Sequence, residues 1–409
     1  MAANTALTGM NVGELADHPG VRNCLQFFTR EKPWINEVHL QLCRVPAPTF
    51  LEQGRAAWFL EQFRSYGCEA SIDRAGNVLA VFGAPPYVAL TAHLDTVLAP
   101  RNKDEISVDA EGRFRGPGVS DNGAGLAALL AIAKAWKSSG KLPESETGLL
   151  LVANVGEEGE GNLLGMRHLC NQSPLAKQIG SFVIVDGANT DHITTRALGS
   201  RRFEVTFTGP GGHSWSDFGV GNPVHALCRA VALFAETRLD SGPKWSLNVG
   251  LIEGGSGVNA IAQAARCKVD IRSESNARMD QLVDTLLTAV ERARDLENQR
   301  QTAGRVTVKT REIGSRPAAE LPAQAPILQY VRAVDAHLGI RSHLDCSSTD
   351  ANVPLSMGIP AVAMGAGGLG GGAHTSGEWF SPDGRDLGLK RILLTLLMLM
   401  RGTPGSKGE

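Results

Sequence analysis

The sequence carries almost no net charge. Its 40 Lys and Arg residues face 42 Asp and Glu, a formal balance of −2. Nucleic-acid recognition needs a basic excess or stripe, because it rests on phosphate neutralisation. The densest basic stretch, Arg292 to Lys309, is interleaved with acids and reads as a solvated helix face followed by a strand. No nucleic-acid partner is expected. Long apolar runs are also missing. The longest, near Ile392 to Met400, is too short to span a bilayer and reads as a terminal helix packed on a core. Residues 1–20 lack the basic start and apolar run of a secretory signal. The seven cysteines (Cys24, Cys43, Cys68, Cys170, Cys228, Cys267, Cys346) are scattered, odd in number and free of any CxxC pair. That usage suits a reducing compartment, with most thiols as small buried apolar groups. The expectation is a cytoplasmic chain without a membrane partner. GxxxxGK[ST], GxSxG and HExxH are absent as well, which removes the P-loop, the serine nucleophile elbow and the helical zinc-protease motif.

What is present is enough apolar material for a sizeable core. The hydrophobic fraction is 43% and the charged fraction 20%, so the chain is not disordered, and 409 residues suit two domains. In the first half short apolar strands alternate with helices. Val88 to Ala92, Gly148 to Val155 and Phe182 to Val185 read as strands, and Leu126 to Trp136 as an Ala- and Leu-rich helix. Near-continuous apolar strands between helices predict a mostly parallel sheet covered on both faces. After Thr195 the texture changes. Arg202 to Phe207 alternates polar and apolar residues, as a half-solvated antiparallel strand does. Helices are expected at Pro223 to Thr237 and Ala277 to Asn298. Strands are expected at Ser246 to Ile252, Ala265 to Ser273 and Arg305 to Arg311. The α/β texture then returns, with a helix near Ala325 to His337 and a strand at Ala361 to Met364. The expected organisation is an α/β domain (residues 1–197 and 314–409) interrupted by an α+β unit of two helices and four strands (residues 198–313).

Candidate ligands follow the strands of the α/β part. Val88 to Ala92 leads into His93-Leu94-Asp95, and Gly148 to Val155 into Gly156-Glu157-Glu158. Phe182 to Val185 leads into Asp186, and Ala361 to Met364 into a glycine-rich loop ending at His374. Open α/β sheets place their working sites beyond the carboxyl ends of the strands. A fifth element, Ser120-Asp121-Asn122-Gly123-Ala124-Gly125, precedes the Leu126 helix, where Asp121 could equally be a helix cap. Each piece is common by chance; their joint placement is what points to a metal site. Two histidines and several carboxylates are the N and O donors that zinc prefers. Adjacent Glu157 and Glu158 allow one to bind metal while the other acts as general base. The segment Gly365-Ala366-Gly367-Gly368-Leu369-Gly370 fits GxGxxG after a strand, but no helix is expected to start there, so no dinucleotide site is expected.

With these stretches in view, the chain resembles the dinuclear zinc hydrolases that include peptidase T, carboxypeptidase G, acetylornithine deacetylase, succinyl-diaminopimelate desuccinylase and aminoacylase. The matching segments are TAHLDTV at Thr91, GVSDNGAG at Gly118, VGEEGEG at Val155, VDGAN at Val185, GPGGHSWSDFGVGNP at Gly209 and GGGAHTSGEWF at Gly370. They keep the family's order and cover nearly the whole chain. The resemblance implies two divalent metal ions, with zinc expected and cobalt or manganese acceptable to the same ligands. His93 and Asp186 would bind one, Glu158 and His374 the other, and Asp121 both. Asp95 would accept a hydrogen bond from the far nitrogen of His93, and Glu157 would be the general base. On the inserted unit, now a lid and dimerisation domain, His213 would reach the partner subunit's site of a homodimer and help polarise the scissile carbonyl. Asn259 and Arg272 would hold the substrate's carboxylate or backbone, a task that suits the guanidinium fork.

Three functions follow. The first is a metallopeptidase cleaving di- or tripeptides, near peptidase T. Asp186, where the carboxypeptidase and deacetylase branch usually has Glu, supports it by resemblance, as does Ser347-Ser348-Thr349-Asp350-Ala351-Asn352. The second is an N-acyl amino acid deacylase or carboxypeptidase with the same metals. The third is a catalytically dead dimeric binding protein, against which the intact ligand set and Glu157 argue.

Overall fold

The computed structural model describes residues 11–238 and 242–402. The chain divides into two compact units, residues 1–195 with 320–409, and residues 196–319. The exchange of texture expected after 197 and 313 thus falls at 195 and 319.

The first unit is built on a nine-stranded sheet. Four strands at its centre, Gly148–Asn154, Tyr87–His93, Ile179–Val185 and Ala361–Met364, are mutually parallel. The flanks are antiparallel: Val78–Phe82 and Glu69–Ile72 on one side, His192–Ala197 on the other. The sheet is therefore mixed, and its parallel part is the central four strands. Those strands are buried along almost their whole length, which explains their unbroken apolar sequences.

Helix Gly123–Ser138 is buried on nearly every side. It is Ala-rich because little space separates it from the sheet: a Cβ at Gly125 would stand 2.8 Å from the Val185 carbonyl oxygen. The terminal helix Arg385–Arg401 buries Leu393, Leu394, Leu396 and Leu397. It also buries Arg391, whose guanidinium forks onto Asp335 at 2.6 and 2.7 Å. Four N-terminal helices, Val12–Asp17, Pro19–Arg30, Lys32–Cys43 and Gln53–Ser65, complete this unit's helical layer. Among the described residues no helix is long and apolar enough to cross a membrane. All seven cysteines are free, and five of them are buried.

The second unit is a four-stranded antiparallel sheet in the order Trp245–Gly254, Ala264–Ser273, Gly199–Thr208, Thr307–Arg316. Alternate residues Phe203, Val205 and Phe207, with Cys267, Val269 and Ile271, face helices Pro223–Ala235 and Asn276–Gln299 in one core. The residues between them form ion pairs, as in Arg202 with Asp270 and Arg311 with Glu204. A short ribbon sets Gly212 against Ile261 and His213 against Ala260.

Candidate metal centre

Register explains why the candidate ligands converge. His93 lies beside Asn154, Thr91 beside Ile184 and Met364 beside Val185, so the carboxyl ends of the four parallel strands share one edge. His93 is the last residue of its strand. Asp186 follows its strand directly, with its N–H on the Met364 carbonyl at 3.1 Å. Glu157 and Glu158 come just beyond Gly148–Asn154, after Gly156 turns the chain at φ 64°.

The side chains form two donor groups with one member in common. His93, Asp121 and Asp186 offer ligand atoms all within 4.8 Å of one another, and so do Asp121, Glu158 and His374. Asp121 stands between two imidazoles: His93 Nε2 is 3.1 Å from its Oδ1, and His374 Nε2 is 3.1 Å from its Oδ2. His374 Nε2 also lies 2.8 Å from Glu158 Oε1, and His93 Nε2 3.9 Å from Asp186 Oδ1. Glu157 groups with His93 and Glu158, and both glutamates are buried.

The electrostatics of this space favour a cation. Burial opposes a charge on His93, yet hydrogen bonds to Asp121, Asp186 and Asp95 hold its pKa well above the ordinary imidazole range. Hydrogen bonds to Asp121 and Glu158 push His374 up to about 10. Burial works against the Asp121 charge, but His374 and His93 hold its carboxyl far below the usual range. Carboxylates that draw protons this strongly onto two imidazole nitrogens present the same attraction to a metal dication, and the donor types suit zinc. The residues present therefore fit two divalent ions. His93, Asp121 and Asp186 would hold one, and Asp121, Glu158 and His374 the other.

Several details differ from the sequence expectation. The helix cap is Asn122, not Asp121: its Oδ1 accepts the Gly125 N–H at 3.1 Å and its Nδ2 donates to the Val185 carbonyl at 2.8 Å. Asp121 is thereby released from local capping. The His93 Nδ1 is nearer the backbone carbonyl of Asp95 (2.9 Å) than its carboxylate (3.5 Å). The Asp95 carboxylate thus stays beside His93 and has further partners. Its two oxygens accept the backbone N–H groups of Glu157 and Glu158, and Oδ2 also accepts the Thr49 hydroxyl.

The glycines of Gly365 to Gly370 serve close backbone approach. A Cβ on Gly365 would lie 1.5 Å from the Ala188 carbonyl oxygen, and Leu369–Gly371 forms a strand where a nucleotide-binding helix would have to begin. His374 sits at φ 64°, a left-handed conformation that a non-glycine residue adopts at some cost.

Three buried participants escaped the sequence reading. Glu378 lies on the turn that carries His374 and accepts backbone N–H groups of the Asp121 loop. His39 donates from Nε2 to the Val119 carbonyl at 2.8 Å while Arg385 bonds its Nδ1. Asp350 accepts from the Asn154 amide at 2.7 Å, beside His93 in register, and burial pushes its carboxyl up to about 6. Asp350 lies in the Ser347 to Asn352 stretch and Glu378 in the GGGAHTSGEWF segment, whereas His39 has no such signal.

The remaining candidates belong to the second unit. His213 and Asn259 are exposed, with the Asn259 carbonyl accepting the Ser214 N–H at 2.9 Å. Arg272 donates from Nε to Asp270 at 2.7 Å and is partly exposed. The His213 ring is set by its own loop, since Nδ1 accepts the N–H groups of Trp215 and Ser216 at 3.2 and 3.4 Å. That leaves Nε2 as the protonated nitrogen.

Comparison with known proteins agrees with this architecture. A peptidase M20 domain-containing protein of Schizosaccharomyces pombe is 30% identical over 203 residues, 48% of each chain. A protein named as a probable carboxypeptidase from Uncinocarpus reesii is 27% identical over 231 residues, covering 51% of this chain and 50% of its own. The chain thus spans about half the length of these curated relatives. The solved structure of a Staphylococcus aureus tripeptidase superimposes with a TM-score of 0.73 at 19% identity, covering 90% of this chain and 98% of the other. It shares the fold. Residues 89–397 match the description of peptidase family M20/M25/M40, so the chain belongs to that family.

Proposed function

We propose that this chain is a dinuclear metallohydrolase that cleaves an amide bond in a di- or tripeptide with a free amino terminus. The observation that carries the reading is the pair of donor groups sharing Asp121, with Glu157 beside them. Two divalent ions, zinc by donor type, would supply Lewis acidity to a water and to the scissile carbonyl. Glu157 then takes the proton from that water and returns it to the leaving amine. His213, fixed with its proton on Nε2, donates to the developing oxyanion from the partner subunit of a homodimer. Arg272 and Asn259 hold the substrate's carboxylate or backbone. A cytoplasmic location belongs to the same reading, supported by seven free thiols.

A second reading has support of its own. The Uncinocarpus relative is named a probable carboxypeptidase, and a carboxypeptidase or N-acyl amino acid deacylase would use the same centre. Asp186 favours the peptide reading by resemblance. Assay of zinc- and cobalt-loaded protein on free tripeptides, dipeptides and N-acetyl amino acids separates the two. Turnover confined to peptides with free amino termini supports the first reading. Turnover confined to acylated amino acids transfers the chain to the second.

A further inference from the structure

Asp121 is held from behind. The loop that carries it presents three backbone N–H groups to one buried carboxylate, that of Glu378. Oε2 accepts from Gly118 at 2.7 Å, and Oε1 accepts from Ser120 at 2.7 Å and from Asp121 itself at 2.8 Å. The Glu378 backbone carbonyl takes a fourth, from Gly116 at 3.1 Å. Glu378 is 3% exposed, so water does not share these contacts. The opposite side of the loop is gripped through its carbonyls. His39 donates from Nε2 to the Val119 oxygen at 2.8 Å, and Arg385 Nη2 donates to His39 Nδ1, which fixes Nε2 as the protonated nitrogen. Glu378 follows His374 on a turn closed by Thr375 N–H to the Gly372 oxygen (3.1 Å) and Glu378 N–H to the Thr375 oxygen (3.3 Å). One short segment therefore supplies an imidazole to one donor group and holds the loop bearing the residue common to both.

The geometry points to Glu378 as a positioning residue for the shared aspartate: it sets the Gly118–Asp121 backbone so that the Asp121 carboxylate spans His93 and His374. This inference rests on the dinuclear reading of Asp121. Three donors meeting one carboxylate set the distance and the tilt of the peptide planes, which a hydrophobic contact would not do. Groups behind metal ligands typically change affinity by roughly 10–100-fold when altered.

Glu378→Gln is the direct test, since the amide keeps the shape but turns one acceptor into a donor facing an N–H. Calorimetric zinc titration of chelator-treated protein is expected to show the variant folded by circular dichroism, with affinity for at least one ion roughly 10–100-fold weaker. Leu328→Ala, a buried truncation in the Pro326–Leu338 helix, is the control for general destabilisation and should leave zinc affinity unchanged. Wild-type zinc affinity in Glu378→Gln, or an equal loss in Leu328→Ala, overturns the positioning role. Should Glu378→Gln not fold, Glu378→Asp keeps the charge and withdraws it by one methylene. The same weakening is expected there, and unaltered affinity counts against the proposal. A wild-type protein that binds no zinc would instead remove the dinuclear reading itself.

Discussion

The Asp95 carboxylate accepts the backbone N–H of Glu157 at 3.0 Å through one oxygen and that of Glu158 at 2.9 Å through the other. One buried carboxylate thus aims both the candidate general base and the neighbouring candidate ligand. Burial alone would raise the Asp95 pKa, but His93 and these N–H groups hold it below its ordinary value, so it accepts as an anion. Asp95→Asn would set an amide N–H against one of the two backbone donors. The expected outcome is a roughly 10–100-fold loss in metal affinity or turnover with the fold retained. Steady-state kinetics and metal titration check it, and unchanged values in both would separate Asp95 from the site.

Glu157→Gln should bind both metals and lose roughly 10²–10⁴-fold in turnover, the usual cost of removing a general base. Elemental analysis together with kcat decides it. Near-normal kcat would return the base to some other group.

Asp121→Ala should lose metal and stability together. Asp121 lies 3.1 Å from both His93 Nε2 and His374 Nε2, so its loss removes a donor from both groups at once. The melting temperature that zinc raises in the wild type by mass action should no longer rise in the variant. Two zinc ions per chain in Asp121→Ala would rule out sharing.

The convergence of these candidate ligands could be read from sequence because most of them end apolar strands. His93, Asp186 and Glu158 announce themselves by following runs such as Val88 to Ala92, Phe182 to Val185 and Gly148 to Val155, and parallel register does the rest. Glu378 stands in the GGGAHTSGEWF segment, but its task could not be read: its partners are main-chain N–H groups 257 to 260 residues away, and a backbone donor leaves no mark in the sequence. The same holds for His39 on the Val119 carbonyl. Asp121 was ambiguous because Asp and Asn are both good caps; only the position of the first helical turn, one residue later, gave the task to Asn122.

Metal affinity should rise with pH. In metal-free protein the His374 ring is raised to about 10 by Asp121 and Glu158. The sign follows from linkage: its protonated form stabilises the fold fully below the unfolded value of about 6.5, and that contribution fades as pH rises through about 10. A dication competes with the same proton, so zinc affinity should climb with pH until it levels off near about pH 10. Affinity independent of pH would exclude His374 as a ligand.

The last expectation concerns His213. Its Nδ1 is occupied by the N–H groups of Trp215 and Ser216, and Asp217 Oδ2 accepts the His213 N–H at 2.6 Å. The loop therefore fixes the ring with Nε2–H as its free donor and keeps it exposed beside Trp215 and Phe218, which are 87% and 85% exposed. A loop that prepares a donor and leaves apolar side chains in solvent suits a role completed by a second chain, and a two-fold interface offers each patch to the other subunit. Loss of one oxyanion donor typically costs roughly 10²–10³-fold in turnover, so His213→Ala should fall by that factor with both metals bound. Subunit mixing decides where the ring acts. His213→Ala and Glu157→Ala subunits are each expected to be impaired alone. If His213 serves the partner's site, an exchanged heterodimer holds one site with an intact Glu157 and an intact partner imidazole, and activity returns. If it serves its own chain, no site is whole and the mixture stays impaired. A fully active His213→Ala homodimer would leave the ring no part in the reaction, and the exposed loop would need another explanation.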